Sequence, residues 1–317
     1  MPFQSERARF PLKRAFVISR GSKTEAEVIT VTYGRGRGEC VPYARYGETL
    51  ESVEAAIASL PDSVSRASLQ DLLPAGAARN AVDCALWDDL AKRSNLPVWR
   101  LAGLAEPRPA TTCFTLSLDT PEAMEAAARA EATRPILKIK LGTADDLPRL
   151  EAVRRGAPRS QLVIDANEGW TPEVYLDLLP DLQRLGVVLI EQPFPAAQDD
   201  ALKDLPRPIP ICADESCHVR ASLHALKGKY DMVNIKLDKT GGLTEALALR
   251  AEARRMGFGI MVGCMVGSSL AMAPALLVAQ DVAFVDLDGP LLLAQDHAHA
   301  LQYDGSLVFP ARPELWG

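Results

Sequence analysis

Eight short apolar stretches recur from about residue 111 onwards, and most of them are followed by a segment with helical character. In order they are TCFTL, ILKIKLG, QLVIDAN, VVLIEQP, IPICADE, MVNIKLD, FGIMVGC and AFVDLDG. Such alternation is typical of parallel sheets, because two parallel strands need a long crossover connection between them. Two helix starts, at Thr120 and Thr171, carry a capping hydroxyl followed by proline in the first turn. The pattern predicts an α/β fold in which eight strands close into a barrel.

The part of the chain before the first of these strands has a different texture and predicts an α+β domain. TEAEVITVTY at 24–33 is typical of a strand, and residues 48–60 and 75–93 are typical of helices. GRGRG at 34–38 does not match the dinucleotide-binding pattern G-x-G-x-x-G, and no helix follows it. We therefore expect a hairpin turn at these glycines.

The composition excludes several classes of partner. The chain has 317 residues, a net charge of -6 and no run of basic residues, so neither nucleic acid nor an anionic membrane is an expected partner. No apolar stretch approaches the roughly 20 residues of a membrane span, so we expect a cytoplasmic protein with a small-molecule ligand. The six cysteines are scattered, and we expect reduced thiols, with disulfides as the alternative. They are Cys40, Cys84, Cys113, Cys212, Cys217 and Cys264.

Several of the predicted strands carry charged residues on one face. Side chains two apart on a strand point the same way, so Lys138 and Lys140 of ILKIKLG share a face. Leu137, Ile139 and Leu141 lie on the opposite face. The same alternation in MVNIKLD turns Asn234, Lys236 and Asp238 inward. AFVDLDG repeats it with two aspartates, 286 and 288. We expect these groups at the carboxyl ends of the strands, where barrel enzymes build their active sites.

Three consecutive strands each end in a carboxylate, namely Asp165, Glu191 and Asp214. Adjacent carboxylates repel one another unless a cation lies between them, and a ligand set made only of oxygen suits Mg²⁺. Lys140 precedes these strands and Lys236 follows them, so the two lysines are expected to approach a metal-bound substrate from opposite sides. Opposed bases allow a proton to be removed from one face and returned to the other.

A second lysine beside Lys140 gives it a reason to act as a base. A nearby positive charge lowers a lysine pKa, so Lys138 and the metal are expected to bring Lys140 toward neutrality. The alternative is a set of structural ion pairs in the barrel core. That alternative is disfavoured, because barrel cores are normally filled by branched apolar side chains.

Taken together, these motifs resemble the enolase superfamily, muconate-lactonizing subgroup. The resemblance rests on K-x-K in the second strand, the three strand-end carboxylates, the lysine of the sixth strand, and the stretches LPAGAARNAVDCALWD, DANEGW, EQPF, ADES and KLDKTGG. It implies a (β/α)7β TIM-like barrel with an N-terminal α+β capping domain completed by the C-terminal segment. The expected boundaries are 1–108 for the capping domain, 109–290 for the barrel with the active site, and 291–317 for the returning segment.

The resemblance also implies roles for the candidate residues. Asp165, Glu191 and Asp214 would bind one Mg²⁺, with Mn²⁺ as a substitute. Lys140 and Lys236 would be the two acid/base catalysts, with Lys138 assisting the first. The D-x-D at 286–288 is similar to that of the dipeptide epimerases of this superfamily, so Asp286 and Asp288 would hold the free α-ammonium of a dipeptide, as a carboxylate pair suits a cation.

Two loops of the capping domain would close over the barrel mouth, near residues 16–25 and 42–48. A glutamate side chain on the substrate needs a cation, for which Arg20 or Lys23 is the candidate, with Arg45 behind them; a solvated loop charge is the alternative for each. Tyr43 and Tyr46 would wall the pocket or pack in the cap. After the seventh strand, where some relatives carry an acidic residue, the chain has Cys264, Ser268 and Ser269 instead.

The implied activity is a Mg²⁺-dependent inversion of the Cα of the C-terminal residue of a dipeptide, with L-Ala-L-Glu the expected substrate and recycling of cell-wall peptides the expected role. An o-succinylbenzoate synthase-type dehydratase and an N-acylamino acid racemase are alternatives on the same scaffold, and both lack a substrate ammonium for the D-x-D. A Schiff-base aldolase would not need the three carboxylates. A binding barrel without catalysis is the remaining alternative, and a homo-oligomer is compatible with all of them.

Overall fold

The computed structural model describes residues 2–317, and the first hundred of them form an antiparallel sheet covered by helices. The strands are β1 (Gln4–Ile18), β2 (Gly21–Tyr33) and β3 (Gly36–Cys40), paired in the order β1-β2-β3. The helices are α1 (Leu50–Ala58), α2 (Arg66–Leu72), α3 (Ala77–Ser94) and α4 (Val98–Leu101). The predicted strand, both predicted helices and the hairpin turn at the glycine-rich stretch are confirmed. Strand β1 and helix α2 were not predicted.

Helix α3 lies unusually close to strand β3. A Cβ on Gly36 would stand 2.1 Å from the carbonyl oxygen of Ala85, and one on Gly38 would stand 2.1 Å from that of Ala81. Both distances are far inside van der Waals contact, so only glycine allows the helix backbone to rest on the strand. The glycine-rich stretch therefore serves helix packing as well as the turn.

The rest of the chain alternates strands and helices as expected. The parallel strands are β5 (Phe114–Leu116), β6 (Ile136–Lys140), β7 (Gln161–Asp165), β8 (Val187–Glu191), β9 (Ile211–Ala213), β10 (Met232–Ile235), β11 (Gly259–Gly263) and β12 (Phe284–Asp286). The helices are α5 (Pro121–Ala130), α6 (Asp146–Gly156), α7 (Pro172–Arg184), α8 (Leu223–Leu226), α9 (Leu237–Thr240), α10 (Leu243–Arg255), α11 (Ser269–Val278) and α12 (Gly289–Leu292). After β8 the connection is a 3₁₀ helix, Ala196–Lys203. Thr120 and Thr171 cap α5 and α7 as predicted.

The eight strands lie side by side in sequence order, and the first and last edges meet. A parallel bridge joins Thr112 to Val285, and the Cys113 amide donates to the Val285 carbonyl at 2.7 Å. The predicted barrel with an antiparallel front domain is therefore confirmed. Three very short strands form a further sheet beside it: β4 (Ala110–Thr111), β13 (Tyr303–Asp304) and β14 (Leu307–Val308).

The barrel interior changes from apolar to charged along its axis. Inward side chains from the lower half form one buried cluster that includes Val163, Leu189 and Met261. Two residues further along β7 and β8, the inward positions are Asp165 and Glu191, at the carboxyl ends of the strands. The apolar plug fills the bottom of the barrel, so the charged groups gather at its upper mouth.

Two local expectations were wrong. Residues 16–25 are not a loop, because they include the end of β1, a tight turn and the start of β2, in which Ile18 pairs with Gly21. Asp238 does not face the barrel axis: β10 ends at Ile235, and the chain winds into α9, so the two-residue alternation stops before it. Across residues 2–317, no helix combines the length and the apolar character needed to cross a bilayer.

Candidate active site

A cavity of about 520 Å³ opens at the carboxyl ends of the strands, between the barrel and the front domain. Its barrel side includes Lys138, Lys140, Asp214, Lys236 and both aspartates of the D-x-D. Its other side comes from the β1–β2 hairpin and the segment after β3. The barrel supplies charge and the front domain supplies the cover.

Lys138 is the centre of the ionic contacts on one side of the mouth. Its Nζ lies 2.7 Å from Glu191 Oε2, 2.7 Å from Asp286 Oδ2 and 3.1 Å from Asp165 Oδ2, and the side chain is only 1% exposed. Lys140 Nζ donates to Asp165 Oδ2 at 2.6 Å. Both lysines of ILKIKLG therefore point into the mouth, as their spacing predicted.

A second group of contacts surrounds Asp214. Lys236 Nζ donates to Asp214 Oδ2 at 2.7 Å, and Lys239 donates from beneath to Oδ1 and to the Asp214 carbonyl, both at 2.5 Å. Asn234 Nδ2 donates to Glu191 Oε1 at 2.7 Å. The three predicted carboxylates are thus each held by a lysine or an amide from another part of the barrel.

The two predicted catalytic lysines stand on opposite walls. Lys140 ends β6 and Lys236 follows β10, and in the closed eight-stranded order these strands are four positions apart in either direction. Strands β7, β8 and β9, which carry the three carboxylates, lie between them on one side. A ligand that contacts the carboxylates therefore has one lysine on each flank.

The close carboxylates and lysines shift one another's pKa values. Burial lowers the pKa of Lys138, but attraction from Asp286 and Glu191 outweighs it and holds the pKa well above its ordinary value. Burial also lowers the pKa of Lys236, but attraction from Asp214 outweighs this effect, so the net shift is upward. Burial raises the pKa of Asp214, yet Lys236 and Lys239 bring it well below its usual range. Without a bound metal, Asp214, Lys138 and Lys236 are therefore charged at neutral pH.

The donor chemistry fits a divalent cation. Burial and the nearby Asp165 charge raise the pKa of Glu191, as expected of a carboxylate that lacks sufficient positive charge around it. Glu191 Oε2 and Asn234 Oδ1 are buried without a hydrogen-bond partner, although Lys138 lies close to the first. Unpartnered buried oxygens are costly and mark a place where a cation or water completes the contacts. Within the described chain, no three His, Cys, Asp or Glu side chains already converge as a metal cage; Lys138 instead lies within 3.1 Å of both Asp165 and Glu191.

The cap-side cations have specific partners. Arg20 donates to Glu215 Oε1 at 2.7 Å and to Glu168 Oε2 at 3.2 Å. Arg45 makes a paired contact with Glu168 at 2.8 Å for each of its two bonds. Lys23 Nζ lies 5.5 Å from the centre of the Tyr43 ring. All three line the cavity, with Arg20 the most deeply anchored.

The D-x-D aspartates differ in their surroundings. Asp286 Oδ2 is paired with Lys138, while its Oδ1 is buried and unpartnered. Asp288 Oδ2 accepts the Thr115 amide at 2.6 Å, and burial, followed by the Asp286 charge, raises the pKa of Asp288 to about 7. The pair is thus short of positive charge and open to a cationic ligand from the cavity.

The remaining predicted positions are divided between pocket and scaffold. Tyr43, Tyr46 and Cys264 line the cavity. Ser268 instead donates to Glu39, and Ser269 donates to Asp296 at 2.6 Å, both at the start of α11. These serines join the barrel to the front domain and the C-terminal segment.

Several residues of the site lay in motifs that we noted without assigning roles. Gln192 of EQPF accepts the amides of Asp214 and Ser216. Glu215 of ADES is buried beside Arg20, and burial together with the Asp214 charge raises its pKa to about 7. Lys239 of KLDKTGG neutralises Asp214 from below. Each of these residues lies one or three positions after a predicted site residue. Only its membership of the same motif could have indicated that it belongs to the site.

Family models match both parts of the chain. Residues 5–103 match the N-terminal domain of the mandelate racemase/muconate lactonizing enzymes, and residues 122–307 match the enolase C-terminal domain-like model. The two matches agree with the front domain and the barrel seen in the structure.

Full-length relatives carry more specific names. The chain is 48% identical to L-Ala-D/L-Glu epimerase of Escherichia coli (strain K12) over 304 residues, 93% of this chain and 95% of the relative. It is 47% identical to N-acetyl-D-glutamate racemase of a Pseudoalteromonas species over 289 residues, 89% of this chain and 91% of that one.

Solved structures agree with these matches. An enolase family member from Agrobacterium tumefaciens, described as homologous to dipeptide epimerases and containing sodium and L-Ala-L-Glu, is 52% identical, with a TM-score of 0.97 and 99% of both chains covered. Three other solved dipeptide epimerases, 26 to 30% identical, are complexes with Mg and a dipeptide. The chain belongs to the enolase superfamily, within the mandelate racemase/muconate lactonizing enzyme family.

Proposed function

We propose that this protein is a Mg²⁺-dependent dipeptide epimerase that interconverts L-Ala-L-Glu and L-Ala-D-Glu. The observation that supports it most directly is the pair Lys140 and Lys236, which face one cavity from opposite walls with three carboxylates between them. Inversion at a carbon needs a proton taken from one face and another delivered to the opposite face. Two lysines placed in this way can act on both faces without the substrate turning over.

Asp165, Glu191 and Asp214 would hold the metal. When bound, Mg²⁺ would stabilise the charge that develops on the substrate carboxylate and weaken the attraction of these carboxylates for the lysines. Lys138 touches Glu191, Asp165 and Asp286 at once. We propose that it assists Lys140 by placing a fixed positive charge next to it.

The lysines would divide the reaction between them. In one direction Lys140 or Lys236, in its neutral form, accepts the α-proton, and the opposite lysine, protonated, donates to the other face. Asp214 beside Lys236 favours the protonated form of that lysine, since their attraction raises its pKa. Each lysine serves as acid for one epimer and as base for the other, which is what a reversible reaction requires.

Each end of the dipeptide would meet a group of opposite charge. Asp286 and Asp288 would receive the α-ammonium, for which the unpartnered Asp286 Oδ1 is available. Arg20 would receive the glutamate side chain, because it lines the cavity and its guanidinium, which also pairs with Glu215 and Glu168, carries a positive charge that attracts a carboxylate. Lys23 is the second candidate, and it lies near the start of β2 opposite Phe16.

We also propose the domain boundaries 1–108, 109–290 and 291–317. Contacts between the last segment and the front domain support them. Trp316 Nε1 donates to the Cys84 carbonyl at 3.0 Å, and Arg37 donates to the Leu315 carbonyl at 2.9 Å. The 291–317 segment would thus return from the barrel and pack against helix α3 of the front domain.

Racemisation of N-acetylglutamate is the second candidate function. It is favoured by the 47% identity to a relative named for that activity. That substrate has a glutamate carboxylate for Arg20 but no ammonium for Asp286 and Asp288. The two candidates therefore differ at the D-x-D and agree on the metal and the lysines.

One experiment separates them. The protein is incubated with Mg²⁺ in D₂O, with L-Ala-L-Glu or with N-acetyl-D-glutamate, and NMR follows Cα deuteration and formation of the epimer. We expect exchange and epimer formation with the dipeptide. Turnover of the acetylated amino acid alone would replace the proposal with the second candidate, and no exchange with either would overturn both. Lys140→Ala and Lys236→Ala should each abolish epimerisation and retain exchange of one epimer only.

A further inference from the structure

The two proposed bases are held by different parts of the fold. Lys140 is a full member of its strand and pairs with Asp165 across the β6–β7 ladder. Lys236 is not paired, because the β10–β11 ladder ends at Ile235 and Val262. Lys236 occupies the position just before α9, so the short α9 turn determines where its side chain begins.

Three charged residues of this turn point in three directions. Lys236 faces the cavity, Lys239 lies beneath Asp214, and Asp238 points away from the barrel to the front domain. Asp238 is 6% exposed, and its Oδ1 accepts the Val41 amide at 3.0 Å and Asn80 Nδ2 at 2.8 Å. One carboxylate oxygen therefore joins the turn to two elements of the front domain.

Both partners of Asp238 are tied to the cover of the cavity. Val41 follows β3 and begins the 41–48 segment, which carries Tyr43 and Tyr46 over the site. Asn80 lies on α3 and also donates to the Glu39 carbonyl at 3.3 Å. The turn that carries Lys236 is thus hydrogen-bonded to α3 and to the end of β3, which also hold the cover of the cavity in place.

The end of the turn is attached to the same helix. Arg79 donates from α3 to the Thr240 carbonyl at 2.7 Å and to the Gly241 carbonyl at 3.2 Å. Within residues 2–317, no hydrogen bond from the front domain reaches β6, which is held between β5 and β7. The front domain approaches Lys140 through the Phe16 ring, whose centre lies 5.8 Å from Lys140 Nζ. The front domain therefore hydrogen-bonds to the backbone segment that carries Lys236, whereas the backbone segment that carries Lys140 is held by its neighbouring strands.

We propose that Asp238 is a positioning residue through which the front domain sets the location of Lys236, whereas the backbone of Lys140 is positioned by the barrel sheet. This inference rests on the proposed epimerase function. Misplacement of a reacting group by about 1 Å can cost about 100-fold in rate. Loss of the Asp238 acceptor is therefore expected to weaken one half of the two-base reaction selectively.

Net epimerisation cannot reveal this selectivity. At equilibrium the ratio of forward to reverse kcat/KM is fixed by the reaction, so any variant must lower both by the same factor. Exchange of the α-proton with solvent is free of that constraint, because each lysine removes the proton from one epimer only. Lys236→Ala identifies the epimer that depends on Lys236.

The test compares Asp238→Ala with Asp238→Asn in the D₂O exchange experiment, with Mg²⁺ and each epimer of Ala-Glu separately. In Asp238→Ala we expect exchange of the Lys236-dependent epimer to fall about 10- to 100-fold and that of the other epimer to change less than about 3-fold. Asp238→Asn keeps an Oδ1 acceptor for Val41 and Asn80, so it should restore both rates to within about 3-fold of wild type.

A matched control lies on the same helix. Asp83 also accepts two hydrogen bonds from the barrel, donated by the amide and the hydroxyl of Thr244. Thr244 lies on α10, beyond the turn that carries Lys236, so Asp83 does not hold that turn. Asp83→Ala should change both exchange rates by the same factor. If Asp238→Ala does not fold, Asn80→Ala, which removes one of the two donors, should give the same selective loss at smaller size.

The outcomes are distinguishable. Equal loss of both exchange rates in Asp238→Ala, or no loss of either, would overturn the positioning role while the epimerase proposal stands. Selective loss that Asp238→Asn does not restore would also overturn it, since the acceptor oxygen would then not be the cause. Absence of exchange in the wild-type protein would overturn both proposals.

Discussion

Removal of Lys239 should destabilise the metal-free protein more than removal of any surface lysine. Its side chain is fully buried, and its Nζ donates to Asp214 Oδ1, to the Asp214 carbonyl and to the Asn234 carbonyl. Lys239→Met keeps most of the side-chain volume but leaves a buried carboxylate with Lys236 as its remaining ionic partner. Removing one member of a buried ion pair costs about 3 to 5 kcal/mol.

The size of the effect can be measured as a melting temperature. An unfolding entropy of about 2.1 cal/mol/K per residue gives about 0.7 kcal/mol/K for a chain of this length, so 3 to 5 kcal/mol corresponds to about 4 to 8 °C. Pairing depresses the pKa of Asp214, so its stabilisation is present above the unfolded pKa of about 3.9 and is lost only as the pH falls through the folded value. At pH 7 the whole effect is therefore present.

The assay is thermal unfolding followed by circular dichroism at pH 7 with EDTA. The control is Lys203→Met, which removes a half-exposed lysine paired with the exposed Asp200 and should change the free energy of unfolding by less than about 0.5 kcal/mol. If the melting temperature of Lys239→Met fell by less than about 2 °C, or if that of Lys203→Met fell by the same amount, the reasoning that buried charge compensation at Asp214 stabilises the fold would be refuted.

Three further predictions follow from the site and its surroundings. EDTA should abolish epimerisation, and added Mg²⁺ should restore it; activity that survives exhaustive chelation would contradict the metal role of the carboxylates. Arg20→Met should raise KM for L-Ala-L-Glu about 10-fold or more in steady-state assays, since it removes the cation that we propose as the partner of the glutamate side chain. Lys23→Met should have the smaller effect, and the reverse order would transfer the assignment to Lys23. Burial raises the pKa of Asp83 to about 6, above the unfolded value of about 3.9, so the wild type loses stability relative to Asp83→Asn as the pH rises from about 4 to 6. Urea unfolding at pH 4 and pH 7 should show that difference grow by about 2 to 3 kcal/mol, and a constant difference would show that Asp83 is not protonated more readily in the folded state.

The barrel and the gathering of lysines and carboxylates at its mouth were predictable because their signals are local. Charged residues inside otherwise apolar strands, such as Lys138 and Lys140, stand out over a few positions, and the two-residue alternation assigns them to one face. The same rule failed for Asp238, because Ile235 is the last residue of its strand and alternation has no meaning in the helical turn that follows.

Contacts between distant segments gave no such signal. Arg20 pairs with Glu215 and Glu168, which lie 195 and 148 residues further along the chain, and no local pattern reveals such partners. Strand β1 was missed for another reason: its residues are exposed or only partly buried, so its hydrophobicity does not alternate clearly, and Pro11 interrupts it.

The close seating of α3 on β3 has a consequence for how this sequence tolerates change. Any side chain at Gly36 or Gly38 would lift α3 from the strand, and α3 carries Asn80 toward the turn of Lys236. Random mutagenesis should therefore find these two glycines nearly as intolerant as residues in the cavity itself. A selection for activity would mark them as essential although neither lines the pocket. A map of tolerated substitutions would therefore include residues that hold α3 in place as well as residues that contact the substrate.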